Sequence, residues 1–322
     1  MPKNINPVTV RGPDRYLTNF SLELSQSNEV FKAANILPSV PVQRQTDIYR
    51  IYNADSLRKL KMKPLASGTP TAAGDIDFSE GTYYTKTYGL HVDYDAETKA
   101  NAESDLQLGQ MATEYLTTQS MMHQERQWFD KMFTAGKWAT DKVGGTDFNK
   151  FTDATSDPIG VVKSAITQQQ ILAGGIRPNV LVLTRKVMDT LEEHPDIIDR
   201  LNRGQTSGPA MASEQALAAL FGLQRVVVLE AVMADEATGD NEFVGGNHML
   251  LMYLNGNAGL RSITAAVRFE WARLGQFMTT GQVIRVFDLD PVIEGTTRYE
   301  IKSNYDFRIV APVLGTFFQD AV

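Results

Sequence analysis

The sequence contains no cysteine. Structural disulfides, thiolate zinc sites, iron–sulfur clusters and cysteine nucleophiles are therefore excluded together. Histidine is scarce as well, limited to His91, His123, His194 and His248. Long hydrophobic runs are missing: Met249 to Leu254 and Val226 to Leu229 fall far short of the ~20 residues a membrane span requires. The polar start Met1-Pro2-Lys3-Asn4-Ile5-Asn6-Pro7 is followed by no apolar signal-peptide core. A soluble, cytosolically made chain without a membrane partner is the expectation. Positive charge is in deficit, with a net charge of −7. Tight, direct DNA binding is disfavoured, because affinity for phosphate comes chiefly from clustered Lys and Arg.

What is present suffices for folding. The 322 residues are 43% hydrophobic and 21% charged, enough for one large domain or two modest ones with a sizeable core. Charge is unevenly spread. Between Arg44 and Lys63 stand Arg44, Arg50, Arg58, Lys59, Lys61 and Lys63 against only Asp47 and Asp55. A basic segment on an acidic chain can steer onto an acidic surface of an identical partner.

Residues 1 to about 45 read as an arm: scattered apolar anchors (Tyr16, Leu17, Phe20, Leu22, Leu24, Val30, Phe31) and then Ile36-Leu37-Pro38-Ser39-Val40-Pro41-Val42. Its two prolines keep that run extended. Such an arm has no core of its own, and burial against sister copies is expected. Thr46 to Asn53 and Gly81 to Tyr94 alternate like the strands of a hairpin. The Pro- and Gly-bearing Lys61 to Glu80 between them reads as a long projecting loop.

Ser104 to Trp138 carries the longest helical signal. Ser104-Asp105-Leu106-Gln107 matches a capping box, and Leu108, Met111, Tyr115, Met122, Phe129, Met132 and Phe133 recur near helical spacing. A second helix opens at Asp157-Pro158, cap and first-turn proline, and runs to about Ala173. From Asn179 the pattern is α/β: a strand to Thr184, a helix from Arg185 to Leu201 interrupted at Pro195, a helix from Ser213 to Gly222, and strands at Arg225 to Val232 and His248 to Leu254. Ala265 to Leu274, Gln282 to Leu289, Thr297 to Lys302 and Asp306 to Val310 then read as β. Neither an internal repeat nor a Gly/Ser linker divides the chain.

No cluster carries chemistry by its pattern. His123-Gln124-Glu125 has the H-x-E of zinc deaminases without their cysteine pair, and reads as an exposed helical face. Asp235, Glu236, Asp240 and Glu242 could ligate a hard cation, but the spacing is not that of an EF-hand, so an acidic turn is expected. Gly144-Gly145, Gly174-Gly175 and Gly245-Gly246 lack a phosphate cradle's Lys-Ser/Thr and read as turns. Glu192, Glu193, Asp196 and Asp199 read as an exposed acidic face. Tyr83, Tyr84, Tyr88 and Tyr94 suit strand packing. No catalytic residue, cofactor or metal ligand is assigned, and the chain is not expected to be an enzyme.

Ile36 to Val42 followed by Tyr49-Arg50-Ile51-Tyr52 resembles the arm-to-loop junction of phage capsid subunits. Tyr88-Gly89-Leu90-His91-Val92-Asp93-Tyr94-Asp95, running into Asn101-Ala102 and the long helix, is similar to the stretch before their spine helix. The closing Asp306 to Val322 looks like their terminal strand and tail. The order of parts resembles the tailed-bacteriophage major capsid fold across nearly the whole chain, a fold also used by encapsulin nanocompartments and the herpesvirus capsid floor.

That resemblance implies an α+β chain in four parts. They are an N-terminal arm (1–45), an extended hairpin loop (46–92), a peripheral domain (93–175 and 271–306) with a spine helix over about 104–138, and an α/β axial domain (176–270 and 307–322). It implies a major capsid protein that self-assembles, through hexamers and pentamers, into the icosahedral head around the double-stranded DNA of a tailed phage. Assembly would take place in the host bacterial cytoplasm, and packaged DNA would be touched only non-specifically. Scaffolding, portal and decoration proteins are the further partners it suggests. At the subunit interface, Arg50, Arg58, Lys59, Lys61 and Lys63 are expected to meet Glu103, Asp105 or Glu114 of an adjacent copy. An encapsulin-like compartment, an α/β enzyme with an unrecognised site and a minor decoration protein are the alternatives. The long arm and large loop favour the viral shell over the compartment.

Overall fold

A computed structural model describes residues 10–13, 15–27, 30–52, 60, 62–65, 67–71, 78–101, 105–202, 212–234, 239–257, 259, 262–272, 282–289 and 295–322. In chain order the elements are β1 (Val10–Pro13), α1 (Arg15–Ser27), α2 (Ala33–Ile36), β2 (Ser39–Val42), β3 (Thr46–Tyr52), β4 (Phe78–Tyr84) and β5 (Lys86–Tyr94). Next come α3 (Ala96–Asn101), α4 (Asp105–Met132), β6 (Thr140–Val143), α5 (Pro158–Leu172), β7 (Val180–Thr184), α6 (Arg185–Glu193), α7 (Pro195–Asn202) and α8 (Glu214–Phe221). The remainder is β8 (Arg225–Leu229), β9 (Val232–Ala234), β10 (Asn241–Phe243), β11 (Met249–Met252), β12 (Ala266–Trp271), β13 (Gln282–Asp288), β14 (Thr297–Ile309) and β15 (Gly315–Gln319). The chain divides into two compact units, Met1–Asp47 with Tyr83–Gln127 and Arg268–Asp306, and Ile48–Thr82 with Trp128–Val267 and Phe307–Val322.

The first unit is built on a six-stranded sheet ordered β1-β13-β14-β12-β2, with β5 also on β14. β13 and β14 pair antiparallel from Gln282↔Ser303 to Asp288↔Thr297. β5 lies along the same strand from Tyr94↔Thr297 to Lys86↔Tyr305. Leu17 of α1 and Ala112 and Leu116 of α4 bury against Ile284, Val286, Tyr299 and Ile301 of the sheet. Removing that apolar area from water holds the helices on the strands.

Two expectations change here. The run from Gly81 to Tyr94 is two strands, not one. Thr85 breaks it, its backbone N–H and side-chain hydroxyl both donating to the Gln45 carbonyl (2.9 and 3.0 Å), so that β4 pairs β3 while β5 joins the larger sheet. The arm, too, is not left to sister copies. Leu17, Ile36, Leu37, Val40 and Val42 are buried within their own subunit, and β2 pairs parallel with Arg268–Trp271 of β12. Pro41 fits because β2 is an edge strand, where a missing N–H disrupts no ladder.

The second unit carries a five-stranded mixed sheet ordered β6-β15-β11-β7-β8. β7 and β8 are parallel neighbours, joined by a crossover through α6, α7 and α8, as parallel pairing demands. Every residue of β7 and β11 is buried. Leu181, Leu183, Met249 and Leu251 share a core with Ile166 of α5, Val187 of α6 and Phe221 of α8, which explains why both strands are continuous apolar runs instead of alternating ones. The expected caps are in place. Asp157 Oδ1 accepts from Gly160 N–H at 2.7 Å, Ser213 Oγ from Ala216 N–H at 3.2 Å, and Gly222 closes α8 at φ 70°.

The long helix ends at Met132, short of the expected Trp138. The Trp138 indole N–H donates to the Met132 carbonyl at 2.7 Å, satisfying one of the acceptors a helix C-terminus leaves open. Trp138 in turn lies flat against Gly315, where an added Cβ would overlap its ring carbons. Gly315→Ala is expected to destabilise the chain by about 1–3 kcal/mol through overpacking. A lowered urea midpoint with an unchanged slope would register it; an unchanged midpoint would show that Trp138 can move aside.

Candidate assembly interface

The four histidines occupy four different settings. His91 is exposed beside Asp93 (4.0 Å). His123 Nδ1 meets the Tyr305 hydroxyl at 2.6 Å, with the Tyr88 ring 4.4 Å away; burial raises the Tyr305 pKa, so that phenol stays a donor. His194 sits 3.1 Å from Ser156 Oγ, a separation at which a nucleophile and its base could stand. Its Nδ1, however, accepts the Asp196 backbone N–H (3.3 Å). The proton is therefore on Nε2, which donates to Ser156 and cannot act as its base. Burial lowers the His248 pKa against the opposing Asp320 charge, and its Nδ1 accepts from Asp320 N–H at 3.0 Å.

His123-Gln124-Glu125 is not the exposed face expected. Gln124 and Glu125 are buried, and Glu125 Oε2 accepts the Ala33 N–H at 2.9 Å. The Arg268 guanidinium, ion-paired to Glu270, donates to Gln124 Oε1 at 3.5 Å. No group of three or more potential metal ligands occurs among the described residues, and none of their helices is long and apolar enough to cross a membrane.

The surface is more informative. Leu60, Met62 and Leu65, between β3 and β4, are 91%, 88% and 58% exposed, with Lys63 exposed among them. On α4 of the first unit, Met111 (60%) and Tyr115 (53%) stand out one turn apart, flanking exposed Glu114. Tyr16 is exposed beside them, its hydroxyl accepting from Gln110 Nε2 at 3.2 Å. Clustered apolar exposure of this kind marks a contact surface.

Of the interface residues expected from sequence, Arg50 lies exposed on β3, Lys63 on the loop and Glu114 on α4. Arg58, Lys59, Lys61 and Glu103 lie outside the described residues; Asp105 opens α4 and its side chain lies outside them too. Glu114 makes no ion pair among the described residues, so no basic member of the set is joined to it. The charge pattern missed the apolar members. The sequence signal for Leu60 and Met62 is their alternation with Lys61 and Lys63. Met111 and Tyr115, which recur near helical spacing, lie on the exposed side of α4. In its N-terminal half α4 buries Ala112, Thr113, Leu116 and Thr117 instead, and Ala112 and Leu116 pack on the sheet.

An arm strand, a two-stranded ribbon, a long helix on a six-stranded sheet and a five-stranded mixed sheet with its helices together make the phage capsid fold. No protein-family model matches the chain. The major capsid protein of Pseudomonas phage JBD67 is 24% identical over 312 residues, covering 94% of this chain and 95% of that one. The major capsid protein of Burkholderia phage BcepMu is 24% identical over 241 residues, covering 74% and 75%. Among solved structures, a phage-related protein from Bordetella bronchiseptica RB50 superposes with a TM-score of 0.72 at 18% identity, over 97% of this chain and 98% of that chain. The capsid of cyanophage P-SCSP1u gives a TM-score of 0.57 at 11% identity over 88% and 86%. An encapsulin from Synechococcus elongatus gives 0.52 at 10% over 92% and 89%, so the fold is shared with that class too.

Proposed function

We propose that the chain is the major capsid protein of a tailed phage, a structural protein whose copies assemble into the icosahedral shell around its DNA. The observation that carries this reading is likeness to named phage major capsid proteins over almost the full length of both chains, 94% and 95% for the JBD67 protein. The encapsulin-like reading has the fold alone behind it. Assembly in the host cytoplasm, hexamers and pentamers, and scaffolding, portal and decoration partners belong to the same proposal. So does the division into arm (1–45), loop (46–92), peripheral and axial domains.

The loop is the assembly device in this reading. Its exposed Leu60, Met62 and Leu65 supply apolar area, while its lysines supply steering. The surface it suits on a neighbouring copy combines Met111, Tyr115 and Tyr16 with the acidic Glu114. Apolar anchors give affinity, and rim charges give register and rate.

Expressed protein examined by electron microscopy should form closed particles; small, monodisperse oligomers would end the shell reading. The combined change Leu60→Ser, Met62→Ser and Leu65→Ser should leave the subunit folded, since all three side chains are exposed, yet cut particle yield at least about tenfold, equivalent to about 1.4 kcal/mol. Reversing Lys59, Lys61 and Lys63 to Glu should slow assembly at low salt and much less at high salt, where the charges are screened. Glu114→Lys should restore part of that rate. Full particle yield from both loop variants would place the interface elsewhere.

A further inference from the structure

We infer that Asn255 is a site of spontaneous covalent modification, converting its amide to a carboxylate through a cyclic imide with the Gly256 backbone. The sequence contains one Asn-Gly pair, Asn255-Gly256, and it lies in the loop between β11 and β12. Glycine after asparagine is the least hindered arrangement for attack by the following backbone nitrogen, because no Cβ shields that peptide. The fold keeps the approach clear: nothing lies within 4 Å of where a Gly256 side chain would begin, and Gly256 and Asn257 are exposed.

The structure adds what the dipeptide alone lacks. The Asn257 backbone N–H donates to Asn255 Oδ1 at 3.2 Å, the oxygen on which negative charge develops during attack at Cγ. A donor aimed at that oxygen in the ground state stabilises the tetrahedral intermediate as it forms. Both sides of the turn are tethered. Asn255 N–H donates to Thr264 Oγ1 at 3.4 Å, and Ser262 Oγ donates to the Asn257 carbonyl at 3.3 Å. The backbone on both sides of the Asn255-Gly256 peptide is thus restrained, which reduces the freedom lost on reaching the cyclic geometry. Asn179 lines the same cleft and is the internal contrast. Its amide donates to Gln224 Oε1 (3.0 Å) and the Leu254 carbonyl (2.8 Å) and accepts from Leu254 N–H (2.8 Å). A β-branched Val180 follows it, so it is locked and shielded.

The step balances without a co-reactant beyond water. Hydroxide removes the proton from the Gly256 nitrogen, which bonds to Asn255 Cγ. The Oδ1 oxyanion, held by Asn257 N–H, collapses as water returns a proton to Nδ2, which leaves as ammonia, and a five-membered imide remains. Water then opens one of its two carbonyls, giving an aspartyl or an isoaspartyl residue at position 255. Either product adds a negative charge to the cleft that Arg177 also lines; the isoaspartyl form also lengthens the backbone by one methylene.

Purified protein incubated at pH 6 and pH 8, then digested and mapped by mass spectrometry, tests this. The amide-to-acid mass change should appear at position 255 before any other asparagine, rise with hydroxide concentration, and proceed in the native protein at least as fast as in urea-unfolded chain. Gly256→Ala should slow it about tenfold or more, equivalent to about 1.4 kcal/mol in barrier. Native Asn255 that keeps its amide while the unfolded chain converts there would overturn the inference, as would conversion spread evenly over the asparagines. The native-versus-unfolded comparison decides the matter even if the Gly256 variant fails to fold.

Discussion

Glu125→Gln is expected to abolish a loss of stability that the native subunit suffers as pH rises from about 5 to above 8. Glu125 is fully buried on α4, and burial pushes its pKa from 4.5 up to about 8, against the Ala33 N–H and the Lys32 charge, which both favour the carboxylate. Oε1 has no hydrogen-bond partner among the described residues, so the Ala33 amide is the one donor they offer the carboxylate. Below about pH 4.5 the carboxyl is protonated in folded and unfolded chains alike, and burial costs little. Between 4.5 and 8 the unfolded chain releases the proton while the folded chain keeps it, so stability falls with pH; above 8 the full penalty of a buried charge is present. At about 1.4 kcal/mol per pKa unit, the effect amounts to several kcal/mol, comparable to the total stability of many domains. Glutamine retains an acceptor for Ala33 and cannot ionise. Urea midpoints of unassembled subunits, read by circular dichroism at pH 5, 7 and 9, should decline for the native protein and stay level for Glu125→Gln. Parallel declines would show that Glu125 is not the titrating group.

Trp128→Ala should be the more damaging of two changes at one position, and Trp128→Phe the milder. Trp128 is wholly buried, edge-on to Phe129 (5.4 Å, 90°) and tilted against Phe133 (5.5 Å, 33°). Alanine leaves a cavity and forfeits the transfer energy, about 3–5 kcal/mol for a buried Trp. Against a stability of about 5–15 kcal/mol, much of the protein would be lost to insoluble material. Phenylalanine keeps most of the contact area and removes a liability, because the Trp128 indole N–H is buried without an acceptor among the described residues. An unsatisfied buried donor costs about 1–3 kcal/mol, which offsets part of the lost volume. Soluble yield and urea midpoint should rank native ≈ Phe > Ala. Phenylalanine as harmful as alanine would mean that the indole nitrogen has a partner, such as a bound water.

Legibility from sequence followed the range of the forces involved. Asp157-Pro158, Ser213 and Gly222 announced helix ends because a cap is a bond within four residues. β7 and β11 were legible because strands buried on both faces are apolar throughout. The break at Pro195 needed only one residue's chemistry. The face of α4 was not legible. Met111 and Tyr115 fit a helical stripe as well as Ala112 and Leu116 do, and only contact with Tyr299, Ile301 and Ile284 decides which stripe is covered. The order of parts suggested the fold, and the interface charges were visible as a cluster, but their apolar partners at Leu60, Met62 and Leu65 stood out only once their exposure was known.

The sequence by itself determined what chemistry is ruled out, where most helices and strands begin and end, and the arm–ribbon–helix–α/β order that marks a capsid subunit. Each of these follows from composition or from interactions between near neighbours. Only the tertiary structure decided that the arm packs at home, that Gly81 to Tyr94 serves two sheets, and that Glu125 is buried instead of solvated. Those outcomes depend on which distant segments meet. Burial and sheet pairing are properties of the meeting partners, and no local pattern encodes a partner that lies dozens of residues away, still less the more than two hundred that separate β2 from β12.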